Sequence, residues 1–136
     1  MANYHLQIVT PDRLVYDGQA EKMLVRTING DVCILAGHTD YAAPLGIGEA
    51  RMTDAEGNVR QAACSGGFIS VSAGTVHVAA TTFEWSDEID VSRAERAKEE
   101  AEHRLANAKR GERSFVMADA KLRRALARIN AGAGKR

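Results

Sequence analysis

The pattern of apolar residues changes abruptly after Trp85, and this change limits the chain to a two-part architecture. Before Trp85, short runs rich in β-branched and aromatic residues alternate with turn residues. After it, apolar residues recur every three or four positions, as they do on one face of a helix. The β-rich runs cover 4–10, 23–28, 32–35, 59–64, 68–71 and 76–80. Short strands at this spacing predict an N-terminal antiparallel β-sandwich or barrel over 1–86, of which we favour the sandwich, followed by an antiparallel two-helix hairpin over 87–136.

Turn residues connect the predicted strands. Asn29-Gly30 lies between two β-rich runs and predicts a hairpin with a type I′ turn, which needs positive φ at both central residues. Two further turns are predicted at 54–58 and at Ala73-Gly74.

The first predicted helix begins with Ser92 and Glu95, which have the spacing of a capping box. Its apolar stripe consists of Ala94, Ala97, Ala101, Leu105 and Ala108. Lys109-Arg110-Gly111 is expected to end it, because basic residues favour a helix C-terminus and glycine adopts the left-handed cap conformation.

The second predicted helix covers about 113–129 and is stopped by Gly132 and Gly134. Its expected inward face consists of Phe115, Ala118, Leu122, Ala125, Leu126 and Ile129. A hairpin with so few large apolar residues is marginally stable alone. We therefore expect it to dock on another surface.

The formal net charge of zero conceals opposite charges at the two ends of the chain. Residues 1–91 carry five Lys/Arg and twelve Asp/Glu, giving −7, whereas 109–136 carry nine and two, giving +7. The ends are expected to bind different partners or each other.

Several protein classes are disfavoured by residues that the sequence lacks. The two cysteines, Cys33 and Cys64, have no CxxC or Cys/His spacing, so neither a zinc site nor a disulfide framework is predicted. No signal peptide and no run of eighteen apolar residues is present, so neither secretion nor a membrane span is expected. A nucleophile, base and orienter at Cys33, His38 and Asp40 is a disfavoured alternative, because Cys33 lies in an apolar run typical of a buried thiol.

One segment carries a family resemblance that extends along the chain. The stretch 30–38 (GDVCILAGH), followed by Pro44-Leu45 and Gly48, resembles the epsilon subunit of bacterial F-type ATP synthases. The segments 65–71 (SGGFISV) and 76–79 (VHVA), Thr10-Pro11-Asp12 and the terminal hairpin match the same family in the same order.

The resemblance implies a non-catalytic rotor subunit of the central stalk, at the cytoplasmic face of the membrane and touching the membrane only indirectly. Its partners would be the gamma subunit, the ring of c subunits and, through the hairpin, the alpha and beta catalytic subunits. The contact with gamma and the c ring maps onto Gly30, Asp31 and His38, although Asp31 is equally well explained as a solvated turn residue.

Inhibition of ATP hydrolysis would use a basic helix face formed by Lys121, Arg123, Arg124 and Arg128. A solvated helix face is the simpler alternative for these cations. Nucleic-acid binding is disfavoured because no aromatic residues interleave with them.

A nucleotide site is the sharpest local prediction. The segment 89–94 (IDVSRA) matches a family motif, and the implied ATP-binding residues are Glu84, Asp90, Arg93, Arg124 and Arg128. Glu100 occupies a position where ATP-binding relatives have arginine, so we expect weak or absent MgATP binding and no required cofactor or metal. Arg96 is expected to pair with Glu100. The alternative function is a free-standing ATP-sensing regulatory protein.

Overall fold

The computed structural model describes residues 2–133 and confirms the predicted fold class. The strands are β1 (Tyr4–Val9), β2 (Leu14–Thr27), β3 (Gly30–Leu35), β4 (Tyr41–Pro44), β5 (Ile47–Asp54), β6 (Val59–Ser72) and β7 (Thr75–Trp85). A 3₁₀ turn (Ser86–Glu88) leads to the helices α1 (Val91–Ala106) and α2 (Arg113–Ala133). The first part of β2 and the short strands β4 and β5 were not predicted from the sequence. None of the described helices is long and apolar enough to cross a membrane.

Two long strands connect the layers of the sandwich. The first half of β2 pairs with β1, and its second half pairs with β3 and β5. The first half of β6 pairs with β5, and its second half pairs with β4. Each of these strands therefore contributes to both layers, and the strand order is β1-β7-β6-β5-β2-β3. One pairing departs from the antiparallel prediction, because β1 and β7 run parallel.

The core lies between the two layers and follows the alternation of the strands. Its largest fully buried side chains are Leu6, Ile8, Met23, Val25, Ile34, Met52, Ile69, Val76 and Val78. The same alternation in β3 buries Ile34 and leaves Cys33 exposed, so the expectation of a buried Cys33 was wrong. Cys64 is the buried thiol, and burial raises its pKa to about 12.

The predicted hairpin at Asn29-Gly30 forms, but its predicted turn type was wrong. Gly30 has a φ of 117°, whereas Asn29 does not have a positive φ. The hydroxyl of Thr27 accepts a hydrogen bond from the Asn29 N–H and donates one to the Gly30 carbonyl, which stabilises the alternative turn. The turn with positive φ at both central residues is instead Ala73-Gly74, with φ values of 50° and 79°.

The start and the end of α1 both differ from the sequence prediction. Asp90, not Ser92, caps the helix, because its Oδ1 accepts a hydrogen bond from the Arg93 N–H at 3.0 Å. The helix ends at Ala106, where the Asn107 side chain donates to the His103 carbonyl. The predicted stop at 109–111 therefore lies in the connection between the helices.

The second helix is longer than predicted and packs on the sandwich. It runs through Gly132, where an added Cβ would lie 2.5 Å from Cγ2 of Val91, so this glycine permits close packing instead of stopping the helix. The predicted stop at Gly134 lies outside the described residues. Leu126, which was predicted to face inward, is 38% exposed, whereas its neighbour Ala127 is buried.

Candidate functional site

A cleft of about 640 Å³ opens between the end of β7 and the two helices. Its lining residues are Glu84, Glu88, Asp90, Arg93, Ala94, Arg96, Ala97, Glu100, Lys121 and Arg128. The cleft thus brings together four of the five residues predicted to bind ATP, which the sequence places on three different elements.

Glu84 forms the sandwich side of the cleft because of the alternation in β7. Phe83 and Trp85 point into the core, so Glu84 between them faces outward toward α2. Its Oε1 accepts a hydrogen bond from Nε of Arg128 at 2.5 Å. The two side chains are 34% and 31% exposed, so this ion pair is partly shielded from solvent.

The α1 side of the cleft carries Asp90, Arg93 and Arg96. The Asp90 carboxylate is occupied by its capping bond to the Arg93 backbone. Within residues 2–133, neither arginine side chain forms an ion pair. These two arginines are the cations of the cleft that remain available to an anion.

Glu100 binds two cations at the far end of the cleft, and neither of them is Arg96. Its Oε1 lies 3.3 Å from Nζ of Lys121 on α2 and 2.5 Å from Nη2 of Arg104, one turn further along α1. The hydrogen bond from Lys121 is the main cause of the lowered pKa of Glu100, and the positive charge of Arg104 is the next largest cause. The predicted Arg96–Glu100 pair was therefore wrong, because the second helix supplies a competing cation.

The charges that line the cleft balance. Four carboxylates face four cations, and two of those cations, Lys121 and Arg128, are already paired with Glu100 and Glu84. A polyphosphate would have to displace these carboxylates or lie close to them. The arrangement favours intramolecular ion pairing over anion binding.

Arg124 lies outside the lining of this cleft, although the sequence grouped it with Arg128. It borders a narrow groove beneath α2, formed with Ala63, Ser65 and Thr82 among others. Arg128 and Glu84 also border this groove, so the two arginines share one helix face as their i,i+4 spacing predicts, although only Arg128 also lines the cleft.

The predicted basic face of α2 is divided in the structure. Lys121 and Arg128 are paired as described above, and Arg123 pairs with Asp119 of the same helix at 3.1 Å. Arg123 lines a different groove, together with Leu126 and Asn130. In this docked position, two of the four cations are thus neutralised by carboxylates from outside their own helix.

The residues predicted to contact gamma and the c ring lie at opposite ends of β3. Gly30 and Asp31 form the hairpin end, where Arg26 donates to Asp31 at 2.8 Å and lowers its pKa. His38 lies beyond Leu35 at the other end, where its ring contacts the Thr39 carbonyl and the edge of Tyr41. A contact that included all three residues would have to extend along the whole of β3.

The structure adds an apolar patch at the hairpin end that the sequence reasoning missed. Ile28 and Phe68 are 64% and 61% exposed, and Pro44 bridges them, because its carbonyl accepts from the Ile28 N–H and it is opposite Phe68 in the β4–β6 ladder. Large exposed apolar residues mark interaction surfaces when they cluster. Their clustering depends on the unpredicted strand β4.

The Cys33, His38 and Asp40 alternative receives no geometric support. Asp40 accepts a hydrogen bond from the Ala73 backbone, and the His38 ring contacts the neighbouring carbonyl of Thr39. Neither contact orients the imidazole toward the thiol, which nucleophile activation would need.

The sequence analysis expected the hairpin to dock on another surface, but it did not identify the residues that join α2 to the sandwich. Ala127 and Ala131 pack with Ala63 and Ile89 in a separate small cluster, flanked by Ile47 and Val91. The sequence signal for this contact was the run of three small residues at 62–64, which is typical of a strand covered on both faces. All three are buried in the structure. Alanines spaced i,i+4 in α2 are the matching signal.

Comparisons with known proteins cover both parts of the chain. Residues 3–86 match the family described as "ATP synthase, Delta/Epsilon chain, beta-sandwich domain", and residues 87–132 match its "long alpha-helix domain". The ATP synthase epsilon chain of Ruminococcus albus is 40% identical over 131 residues, covering 96% of each chain. The epsilon chain of Halalkalibacterium halodurans is 39% identical over 96% of this chain and 97% of that one.

Solved structures share the fold at lower identity. A chain in the mitochondrial ATP synthase of Euglena gracilis superimposes with a TM-score of 0.84 at 22% identity, over 98% of this chain and 82% of that chain. A chain in the central stalk and c ring of the Tetrahymena thermophila enzyme gives a TM-score of 0.59 at 12% identity, over 94% and 95%.

Proposed function

Because the chain belongs to the epsilon-subunit family of bacterial F-type ATP synthases, we propose that it is a non-catalytic rotor subunit of the central stalk. Its β-sandwich would bind the gamma subunit and the c ring, and so would link the catalytic head to the membrane sector from the cytoplasmic face. The observation that carries this proposal is the match to epsilon chains over nearly the whole length of both partners.

The hairpin end of the sandwich is the best candidate for the rotor contact. Ile28 and Phe68 supply exposed apolar area, and Asp31 with Arg26 supplies a polar rim. An apolar centre with a charged edge is typical of specific protein interfaces. His38, at the other end of β3, would need a second contact to take part.

We further propose that the hairpin restrains ATP hydrolysis when it leaves the sandwich and contacts the alpha and beta subunits. Undocking would free Arg128 from Glu84 and expose it with Arg124 on the same helix, facing acidic partner surfaces. The small contact between α2 and the sandwich supports a hairpin that exchanges one docking surface for another.

The test uses an assembled complex with the chain truncated after Asp90. We expect gamma to pull down the truncated chain as well as the full chain, because the sandwich is intact. We also expect faster ATP hydrolysis than with the full chain. A lost pull-down would overturn the rotor proposal, and unchanged hydrolysis would overturn the inhibitory one.

The alternative, a free-standing ATP sensor, rests on the available cations Arg93 and Arg96 in the cleft. The paired Glu100 and Glu84 oppose it, and we propose that MgATP binds weakly or not at all. Recovery of the chain with gamma from cells separates the two functions, because a free-standing sensor would not copurify.

A further inference from the structure

The contact that docks α2 on the sandwich is small for a helix of 21 residues. Ala127 and Ala131 lie against Ala63, and Ile89 completes the cluster from the linker. Alanine buries little apolar surface, so hydrophobic contact stabilises this docking only modestly. Electrostatic contacts can therefore decide how much of the chain is docked.

One ion pair joins α2 to the sandwich within the described residues. Arg128 follows directly after the buried Ala127, and its Nε reaches Oε1 of Glu84 at 2.5 Å. We call Arg128 and Glu84 the latch pair. Because both side chains are about two-thirds shielded, salt screens this pair less than a fully exposed one.

The connection between the sandwich and α1 is fixed independently of the latch pair. Arg13 binds Glu88 through both of its terminal nitrogens, at 3.0 and 2.9 Å, and Glu88 also accepts from the Trp85 N–H at 3.0 Å. The base of the hairpin is thus held to the sandwich even when the latch pair opens. This geometry confines an opening motion to residues after Glu88.

The cleft beside the latch pair contains carboxylates that would repel the phosphates of a nucleotide. Lys121 and Arg128 already bind Glu100 and Glu84, and Glu88 and Asp90 add further negative charge. The chain therefore supplies internally the negative groups that a bound polyphosphate would otherwise provide to these cations.

We propose that the latch pair holds the hairpin docked without nucleotide, so that ionic strength and competing acidic surfaces, and not MgATP, shift the docked population. The regulatory meaning of this latch rests on the proposed inhibitory function, but its existence does not. Acidic partners compete directly, because the cation they would bind, Arg128, is the one that the latch occupies.

The docked fraction of the full-length chain can be measured by double electron–electron resonance, which gives the distance between two spin labels. Spin labels are attached at Glu56→Cys in the β5–β6 turn and at Glu112→Cys in the helix connection, both exposed and away from the contact. Cys33→Ser removes the exposed native thiol, whereas Cys64 is buried with a raised pKa and stays unlabelled.

Arg128→Gln is expected to raise the ratio of undocked to docked chain about two- to fivefold, the range for one ion pair of this exposure. Raising NaCl from about 50 mM to about 500 mM should move the unsubstituted chain in the same direction, and by more than it moves Arg128→Gln, which keeps only the long-range attraction between the oppositely charged parts. Arg104→Gln is the matched control, since it removes an ion pair within α1 and should not change the distances.

The exchanged pair Glu84→Arg with Arg128→Glu should restore the docked distance, which a merely structural role of either side chain would not. Distances that do not respond to Arg128→Gln or to salt would overturn the latch. A docked fraction that rises with MgATP would overturn its independence of nucleotide. These outcomes concern the isolated chain, so they are separate from the pull-down and hydrolysis tests of the proposed function.

Discussion

At the scale of single residues, Gly67 shows how closely two strands approach in this sandwich. Its φ is 93°, and an added Cβ would lie 1.9 Å from the Ala79 carbonyl oxygen of the paired strand. The atoms in conflict belong to the backbone of Ala79 and Ala80, so movement of a side chain cannot relieve the conflict. A residue with a side chain at position 67 would therefore combine backbone strain with a steric conflict.

We expect Gly67→Ala to lower the free energy of unfolding by at least about 3 kcal/mol. Gly57→Ala is the matched control, because Gly57 has a φ of 87° with open space around it and should cost only about 1–2 kcal/mol. Urea unfolding at constant m-value measures both losses. Equal losses would show that the close approach to Ala79 contributes nothing.

Glu88 predicts a dependence of stability on pH. The hydrogen bond from Arg13 lowers its pKa in the folded chain, so its contribution is complete above its unfolded pKa of about 4.3 and is lost as pH falls through the lower, folded value. At neutral pH, Glu88→Gln should cost less than about 1 kcal/mol, because the side chain is 38% exposed.

Unfolding measured across the acid range checks this expectation. The difference between the unsubstituted chain and Glu88→Gln should disappear at low pH, whereas Asp87→Asn, the adjacent exposed carboxylate, should have no such effect. A constant difference at all pH values would contradict the role of the Arg13 bond.

At the scale of elements, substitutions at the start of α1 distinguish between Asp90 and Ser92 as the residue that caps the helix. Asp90→Ala should cost about 1 kcal/mol, because the Arg93 N–H loses its acceptor, whereas Ser92→Ala should be nearly neutral. Asp90→Asn should keep most of the stability, since its amide oxygen can also accept. Urea unfolding of the three variants decides between the caps, and a Ser92→Ala loss equal to that of Asp90→Ala would favour the rejected one.

Gly132 shows why the end of α2 could not be found from local sequence. Glycine often ends helices, but here the helix needs a residue without a side chain where it passes Val91. The contact joins positions about forty residues apart. Only packing between the helix ends makes this glycine part of the helix.

At the scale of the whole molecule, the distribution of charge predicts the response to nucleotide. Titration calorimetry of the chain with MgATP should show no saturable binding, whereas Glu100→Arg should gain binding, because it removes a carboxylate and frees Lys121. Adding Arg93→Ala to Glu100→Arg should abolish the gain. Clear binding by the unsubstituted chain that is lost in Arg93→Ala would refute this expectation.

The sequence alone determined the division into a sandwich and a hairpin, because the periods of strands and helices are local properties. It also determined the charge asymmetry and the family motifs, and it named seven of the eight charged residues that line the cleft. Tertiary structure decided what those residues do there. Arg128 binds Glu84, and Glu100 binds Lys121, since each partner lies on a different element whose position depends on packing.

Tertiary structure also decided how the hairpin docks on the sandwich. The −7 and +7 ends indicated that the two parts attract each other, but charge is long-ranged and does not specify a geometry. The geometry comes from Ala63, Ala127 and Ala131, whose small size permits the helix to approach the sheet. Short-range packing thus selected which of the possible ion pairs form, and the sequence by itself contained only the charges.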